Sequence, residues 1–137
     1  MEFNASCATV ELTAKALNVE PARIAKTISL LGKTEPILVV TAGDTKIDNA
    51  KFKKEFGIKP RMLDADQVFA ATGYAAGGVC PFKIKNELSI VLDISLRRFI
   101  TIFPACGSSS SAIELTCGEL EEYSGSVSWV DVCKFIN

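Results

Sequence analysis

The chain has 137 residues, of which 48% are hydrophobic and 23% charged, and its formal net charge is −1. That length gives room for one domain (residues 1–137) with one hydrophobic core. The composition is that of a soluble globular protein, and the charge argues against broad, sequence-independent wrapping of nucleic acid, which needs many phosphate contacts.

The five cysteines (Cys7, Cys80, Cys106, Cys117 and Cys133) are odd in number, widely spaced and without a CxxC pair, and histidine is absent. These facts argue against a disulfide framework, a structural zinc site and any Ser-His or Cys-His dyad. No cofactor or metal is expected. No apolar stretch approaches the length of a membrane-spanning helix, and residues 1–7 are too short and polar for a signal peptide. The expectation is a cytoplasmic protein with reduced thiols and no membrane partner.

In chain order, residues 9–17 carry apolar positions at helical spacing behind a possible Thr9 cap. Asn18 suits a helix stop, and Pro21 the first turn of a short second helix. Strand-like alternation follows through Ile24, Ile28 and Leu30. Residues 36–41 (PILVVT) form a continuous β-branched run of the kind buried on both faces. Residues 42–45 read as a turn. Asp48 predicts a helix cap, with Gly57 ending that helix. Residues 59–63 read as a short strand, and Asp64 as the cap of a helix over 65–72.

Residues 88–92 and 100–105 read as strands, residues 106–110 as a small-residue turn, and 111–115 as another strand. Thr116 predicts a cap for a helix reaching Tyr123, and residues 126–132 read as the last strand. Strands and helices mingle without strict βαβ alternation, so the expected class is α+β with a mixed sheet.

One loop stands out chemically: Thr72-Gly73-Tyr74-Ala75-Ala76-Gly77-Gly78-Val79-Cys80-Pro81-Phe82. Glycine has no Cβ to hinder close approach of a ligand, and proline fixes the loop's exit. Such a loop presents main-chain N–H groups suited to a carbonyl, carboxylate or phosphate oxygen. A plain turn has the same composition. A second feature is the cluster Lys46, Lys51, Lys53, Lys54, Lys59 and Arg61, which reads as a solvated helix face or as a small anion-binding patch.

Taken in order, Ala25-Lys26-Thr27, Ala42-Gly43-Asp44 with Lys46 and Asp48, the glycine loop, residues 93–96, Cys106-Gly107-Ser108 and Leu115-Thr116 resemble the YbaK / prolyl-tRNA synthetase-associated domain family. The resemblance covers residues 8–132. It implies a single α+β domain, a mixed, partly closed β-sheet with helices packed around it. It also implies hydrolysis of the ester joining a wrong amino acid to the terminal adenosine of tRNA, often proline tRNA. The implied partners are the aminoacyl-tRNA acceptor end and a synthetase such as prolyl-tRNA synthetase. Many members of the family carry a longer N-terminal segment. The chain ends soon after its last predicted strand, so affinity for tRNA is expected to rest on the acceptor end and the basic patch.

Carried onto this sequence, the resemblance makes Lys26 the key side chain and residues 77–81 the backbone contacts to the aminoacyl group. Gly78 and Val79 would serve the developing oxyanion, with Gly77, Cys80 and Pro81 beside them in the same loop. A lysine acts as a general base only where desolvation lowers its pKa, so Lys26 is read as a fixed positive charge for the terminal phosphate or ribose. Its bland alternative is a surface lysine at a strand edge. Asp44 either orients Lys46, binds substrate or simply makes a Gly-Asp turn. Gly107 and Ser108 line the pocket in the family manner, though a Gly-Ser turn looks the same. Asp48 is read as a helix cap, Cys106 as a small buried hydrophobe, and Cys80 as a nucleophile only if a partner lowers its pKa. The competing function is a non-catalytic module that binds a tRNA end or a synthetase.

Overall fold

The computed structural model describes residues 14–15, 18–73, 88–104, 114–125 and 128–136. Its centre is a curled, mixed six-stranded sheet in the order β6-β5-β1-β2-β4-β7, with a separate two-stranded ribbon of β3 and β8. The strands are β1 (Ile24–Leu30), β2 (Ile37–Ala42), β3 (Thr45–Ile47), β4 (Ser89–Asp93), β5 (Thr101–Pro104), β6 (Leu115–Thr116), β7 (Ser128–Val130) and β8 (Cys133–Phe135). β1 runs antiparallel to β2 and parallel to β5, and β2 runs parallel to β4. With helices packed on this mixed sheet, the fold is α+β, as expected.

Side chains alternate across the sheet and so divide the core in two. Ala25, Leu38, Val40, Ala42 and Leu92 pack on one face, against Val68 and Leu120. Ile28, Leu30, Val39 and Val91 pack on the other, against Phe52. Phe52 is 0% exposed, and burial of such a side chain contributes about 1.5–3 kcal/mol. Three described helices supply these contacts: α1 (Asn49–Phe56) covers the second face, while α2 (Ala65–Thr72) and α3 (Cys117–Ser124) cover the first.

Their starts follow the side-chain chemistry read from the sequence. Asp48 accepts from the Lys51 N–H, and Asp64 and Thr116 each close a reciprocal capping box, with Gln67 and Glu119. Gly57 ends α1 at φ 75°, in the left-handed region that favours glycine. Pro21 opens a 3-10 turn (Pro21–Arg23), and Asn18 takes φ 58°. Of the helix expected over residues 9–17, only Ala14 and Lys15 are described, and both are helical.

Three expectations need correction. Residues 59–63 do not form a strand; Met62 makes a single antiparallel bridge to Leu30. Residues 126–132 are not one last strand. β7 joins the main sheet, and after Asp131 and Val132 the chain turns into β8. β8 in turn pairs with β3, which the sequence reading had left without strand structure. Two three-residue strands that meet from distant parts of the chain carry no local periodicity to announce them.

Candidate functional site

Lys26 lies on an interior strand. β1 is paired on both sides, by β2 and β5, and Lys26 is only 5% exposed. The edge-strand alternative therefore falls. Lys26 faces Thr41 across the β1–β2 ladder, and its alternation with Ile28 and Leu30 puts it on the α1 side of the sheet. Its Nζ donates to the main-chain carbonyl of Thr45 at 2.5 Å. An ammonium carries three donors, and this bond fixes where the charge sits.

The carbonyl belongs to the turn between β2 and β3, which is itself held by a ring of hydroxyls. The Ala42 N–H donates to Ser95 Oγ at 3.3 Å, and Thr45 Oγ1 donates to the Ala42 carbonyl at 2.8 Å. Between them, Thr41 Oγ1 lies 3.1 Å from Ser95 Oγ and 2.7 Å from Thr45 Oγ1. Each hydroxyl has one proton, so the direction is determined: Ser95 donates to Thr41, Thr41 to Thr45, and Thr45 back to Ala42. Thr41, Thr45 and Ser95 are all buried, and the closed ring leaves none of the three donors unsatisfied.

Asp93 supports the ring from below. Its carboxylate accepts from the Ser95 N–H at 3.0 Å and from the Val132 N–H at 2.9 Å. It thereby caps the 3-10 turn Ile94–Arg98 and fixes the chain leading to β8. Cys133, packed beside these groups, has its thiol pushed up to about 12, chiefly by burial, with the Asp93 charge adding and the hydroxyls of Thr41 and Thr45 opposing. It stays a neutral thiol and is not a nucleophile at ordinary pH.

Asp44 is paired with Arg98. Its carboxylate is held by Arg98 through two bonds, of 2.7 Å and 3.1 Å, rather than orienting Lys46. The same guanidinium donates to the Ser95 carbonyl at 2.8 Å and lies 4.8 Å from the ring centres of Phe99 and of Phe135. The Asp44 carbonyl also accepts the Ile136 N–H at 2.8 Å. Arg98 thus clasps the β2–β3 turn to the 3-10 turn and to β8. A two-point Arg–carboxylate fork fixes orientation as well as charge.

Lys46 follows Thr45 on β3, but its side chain turns outward and is exposed. Of the candidate residues, Lys26, Asp44 and Lys46 are therefore gathered at one turn, Lys26 inside and Lys46 outside. Gly77, Gly78, Val79, Cys80, Pro81, Gly107 and Ser108 lie outside the described residues, as does Cys106.

Sequence reasoning missed the hydroxyl ring and Arg98, and it placed Asp93 in a family motif without giving it a role. Thr41, Thr45 and Ser95 are individually unremarkable; only Asp93 before a helical turn carried a local signal, as a cap. Thr27, next to Lys26 but on the opposite face, buries an Oγ1 that has no hydrogen-bond partner among the described residues. Among the described residues no group of three His, Cys, Asp or Glu side chains could hold a metal, and no helix is long and apolar enough to cross a membrane. A pocket of about 290 Å³ lies between the β1–β2 turn and the end of α1, lined by Lys33, Glu35, Phe56 and Ser89 among others. It sits at the far end of the strands from Lys26, where Leu30 pairs with Ile37.

Comparison with known proteins gives consistent answers. Residues 4–123 match the model of the aminoacyl-tRNA editing domain. The uncharacterised protein YwhH of Bacillus subtilis (strain 168) is 52% identical over 134 residues, 97% of this chain and 85% of its own length. EbsC of Enterococcus faecalis, described as a candidate Cys-tRNA(Pro)/Cys-tRNA(Cys) deacylase, is 32% identical over 109 residues, 78% of this chain and 66% of EbsC. A crystal structure described as a candidate trans-editing enzyme for prolyl tRNA synthetase superposes with a TM-score of 0.83 at 26% identity, covering 98% of this chain and 85% of that one.

Proposed function

The chain belongs to the aminoacyl-tRNA editing domain family, and from that premise we propose that it is a trans-acting deacylase. Its substrate on this reading is tRNA, proline tRNA first, charged with a small non-cognate amino acid. The observation that carries the reading is the family match over residues 4–123, which includes Lys26. The names given to EbsC and to the trans-editing structure support the same substrate class. A synthetase that releases mischarged tRNA is the corresponding partner.

The chemistry needs little machinery, because an aminoacyl ester is already activated. Water adds to the ester carbonyl carbon, and the carbonyl oxygen becomes an oxyanion. The bond to the ribose oxygen then breaks, and that oxygen takes up the proton given by the water. The products are a free amino acid and tRNA with its terminal hydroxyl restored. Main-chain N–H groups of Gly78 and Val79 are assigned to the oxyanion, a contribution of about 3–4 kcal/mol per donor in comparable sites. Lys26 is assigned to the terminal phosphate or ribose, as a charge whose position is set by Thr45. With no histidine in the chain, a ribose hydroxyl of the substrate is assigned the proton transfer. Asp44, oriented by Arg98, is assigned to substrate contact together with Lys46, Cys80, Pro81, Gly107 and Ser108.

Single-turnover deacylation tests this directly, with proline tRNA charged separately with alanine, cysteine, serine, threonine and proline. Rapid loss of one non-cognate amino acid by the wild type, abolished in Lys26→Ala, is the expected result. Binding of tRNA without hydrolysis of any of the five would replace the enzyme by a non-catalytic tRNA-end module.

A further inference from the structure

The helices on the two faces of the main sheet carry opposite charge. α1, on the Lys26 face, holds Lys51, Lys53 and Lys54 with one acid, Glu55. α2 and α3, on the other face, hold Asp66, Glu119, Glu121 and Glu122 and no lysine or arginine at all. The three described helices thus sort charge across the sheet, although Arg97, stacked on Trp129, is a basic group on the acidic side.

The basic side continues onto the β3–β8 ribbon. Lys46 and Lys134 are direct cross-strand partners, and both are exposed. Like charges placed opposite one another in an antiparallel ladder destabilise it; for Lys134 the nearby Asp48 carboxylate offsets part of this. The acids around it are engaged. Asp131 accepts from Lys51 Nζ at 3.1 Å, and Asp48 caps α1 through the Lys51 N–H at 3.0 Å. Lys51 and Lys134 together hold the Asp48 carboxyl below its ordinary value, behind the larger effect of the Lys51 N–H. Lys46 also directly follows Thr45, whose carbonyl fixes Lys26, so this surface starts one residue from the candidate site.

We infer that the outer face of the β3–β8 ribbon, with the exposed lysines of α1, is a track for the phosphates of an RNA acceptor stem whose 3′ end reaches Lys26. The inference rests on the reading that aminoacyl-tRNA is the ligand. A polyanion fits because the face offers spaced, exposed ammonium groups, each able to displace a counterion from a phosphate. Lysine is suited to this, as a point charge that does not demand one geometry.

The test uses a synthetic proline acceptor-stem minihelix ending in CCA and the full chain. Its Kd is measured from about 50 to about 200 mM salt for the wild type and for Lys53→Gln/Lys54→Gln/Lys134→Gln, with circular dichroism to confirm that the variant is folded. The expected result is a loss of affinity of at least about tenfold at low salt, and a log–log salt slope shallower by about one per lysine removed. An unchanged Kd and slope in the folded variant would overturn the proposal. So would intact RNA binding with loss of binding to a prolyl-tRNA synthetase, which would assign the face to a protein partner. Deacylation is measured in parallel. A wild type that hydrolyses nothing but shows the expected minihelix behaviour removes the enzyme reading and leaves this surface standing. Hydrolysis with no effect of the three substitutions on binding does the opposite.

Discussion

The two sides of β3 use lysine in opposite ways. On the inner side, Thr45 is 1% exposed and its carbonyl receives the amine of Lys26. On the outer side, Lys46 stands opposite Lys134 in solvent. Burial gives Lys26 a defined position at the expense of hydration, which is costly for an ammonium unless hydrogen bonds replace it. Exposure leaves Lys46 and Lys134 hydrated but mutually repelling, a smaller penalty spread over a face. The inner arrangement suits a role that depends on where one charge sits. The outer suits a role that depends on how many charges are present. Both run against stability in an otherwise consistent fold, and such local conflicts concentrate where function is.

Lys26→Met separates position from stability, and it has the largest expected effect. Deacylation is expected to fall by at least about 100-fold, the scale set by losing or displacing one positioning group. Thermal stability is expected to hold or rise, because replacing a buried charge by an apolar side chain of similar length is often neutral or stabilising. The pair of measurements is single-turnover rate and Tm. A Tm that collapses along with the rate would make Lys26 a structural lysine and erase the distinction between the two sides.

Arg98→Ala loosens the turn without touching Lys26. The Arg98–Asp44 pair is about one-third exposed at each end, so its direct contribution to stability is on the order of 1 kcal/mol or less. The rate is expected to fall about tenfold, since displacement of the Thr45 carbonyl shifts the amine it holds. Arg98→Lys keeps the charge but not the two-point fork, and is expected to recover stability more fully than rate. Equal recovery of both would mean that the clasp serves folding alone.

These two arginine and lysine roles differ in how far they were legible. The caps Asp48, Asp64 and Thr116 were readable because each acts within three residues of itself, and β2 was readable from its unbroken apolar run. Lys26 was marked by its motif, but its burial was not, since nothing local distinguishes an interior strand from an edge. Arg98 was invisible because its partner Asp44 is 54 positions away. β3 and β8 were missed for the same reason: three residues each, they pair only once segments far apart in the chain meet. The hydroxyl ring needs Thr41, Thr45 and Ser95 together, and serine and threonine carry no long-range signal. The glycine loop, the most prominent feature of the sequence, lies outside the described residues from Tyr74 onward.

Cys133 reports on the dryness of the inner side. Its thiol is held at about 12 against an ordinary 9.0. Below about pH 9 the folded and unfolded chains both keep this proton, and the stabilising difference is fully present. Between about 9 and about 12 the unfolded chain releases the proton while the folded chain retains it, so stability falls as pH rises through that window. Urea midpoints at about pH 8 and about pH 10.5 are expected to decline more in wild type than in Cys133→Ala. Equal declines, or ready alkylation of native Cys133 at about pH 8, would mean that water reaches this face and that Lys26 is not set apart from Lys46 by burial.

The smallest effect belongs to the outer side, and its sign is the informative part. Lys46→Glu turns the Lys134 pairing from like to opposite charge and leaves Lys134 beside Asp48, a change worth a few tenths to about 1 kcal/mol in an antiparallel ladder. The variant is therefore expected to be more stable than wild type, by about 2 °C or more in Tm, and to bind the minihelix less tightly. Added salt should shrink both differences, because both depend on exposed charges. A structural lysine would give the reverse correlation, with lower stability and unaltered binding. Stability and affinity moving in opposite directions, from one exposed substitution, is the signature of a surface charge kept for a ligand rather than for the fold.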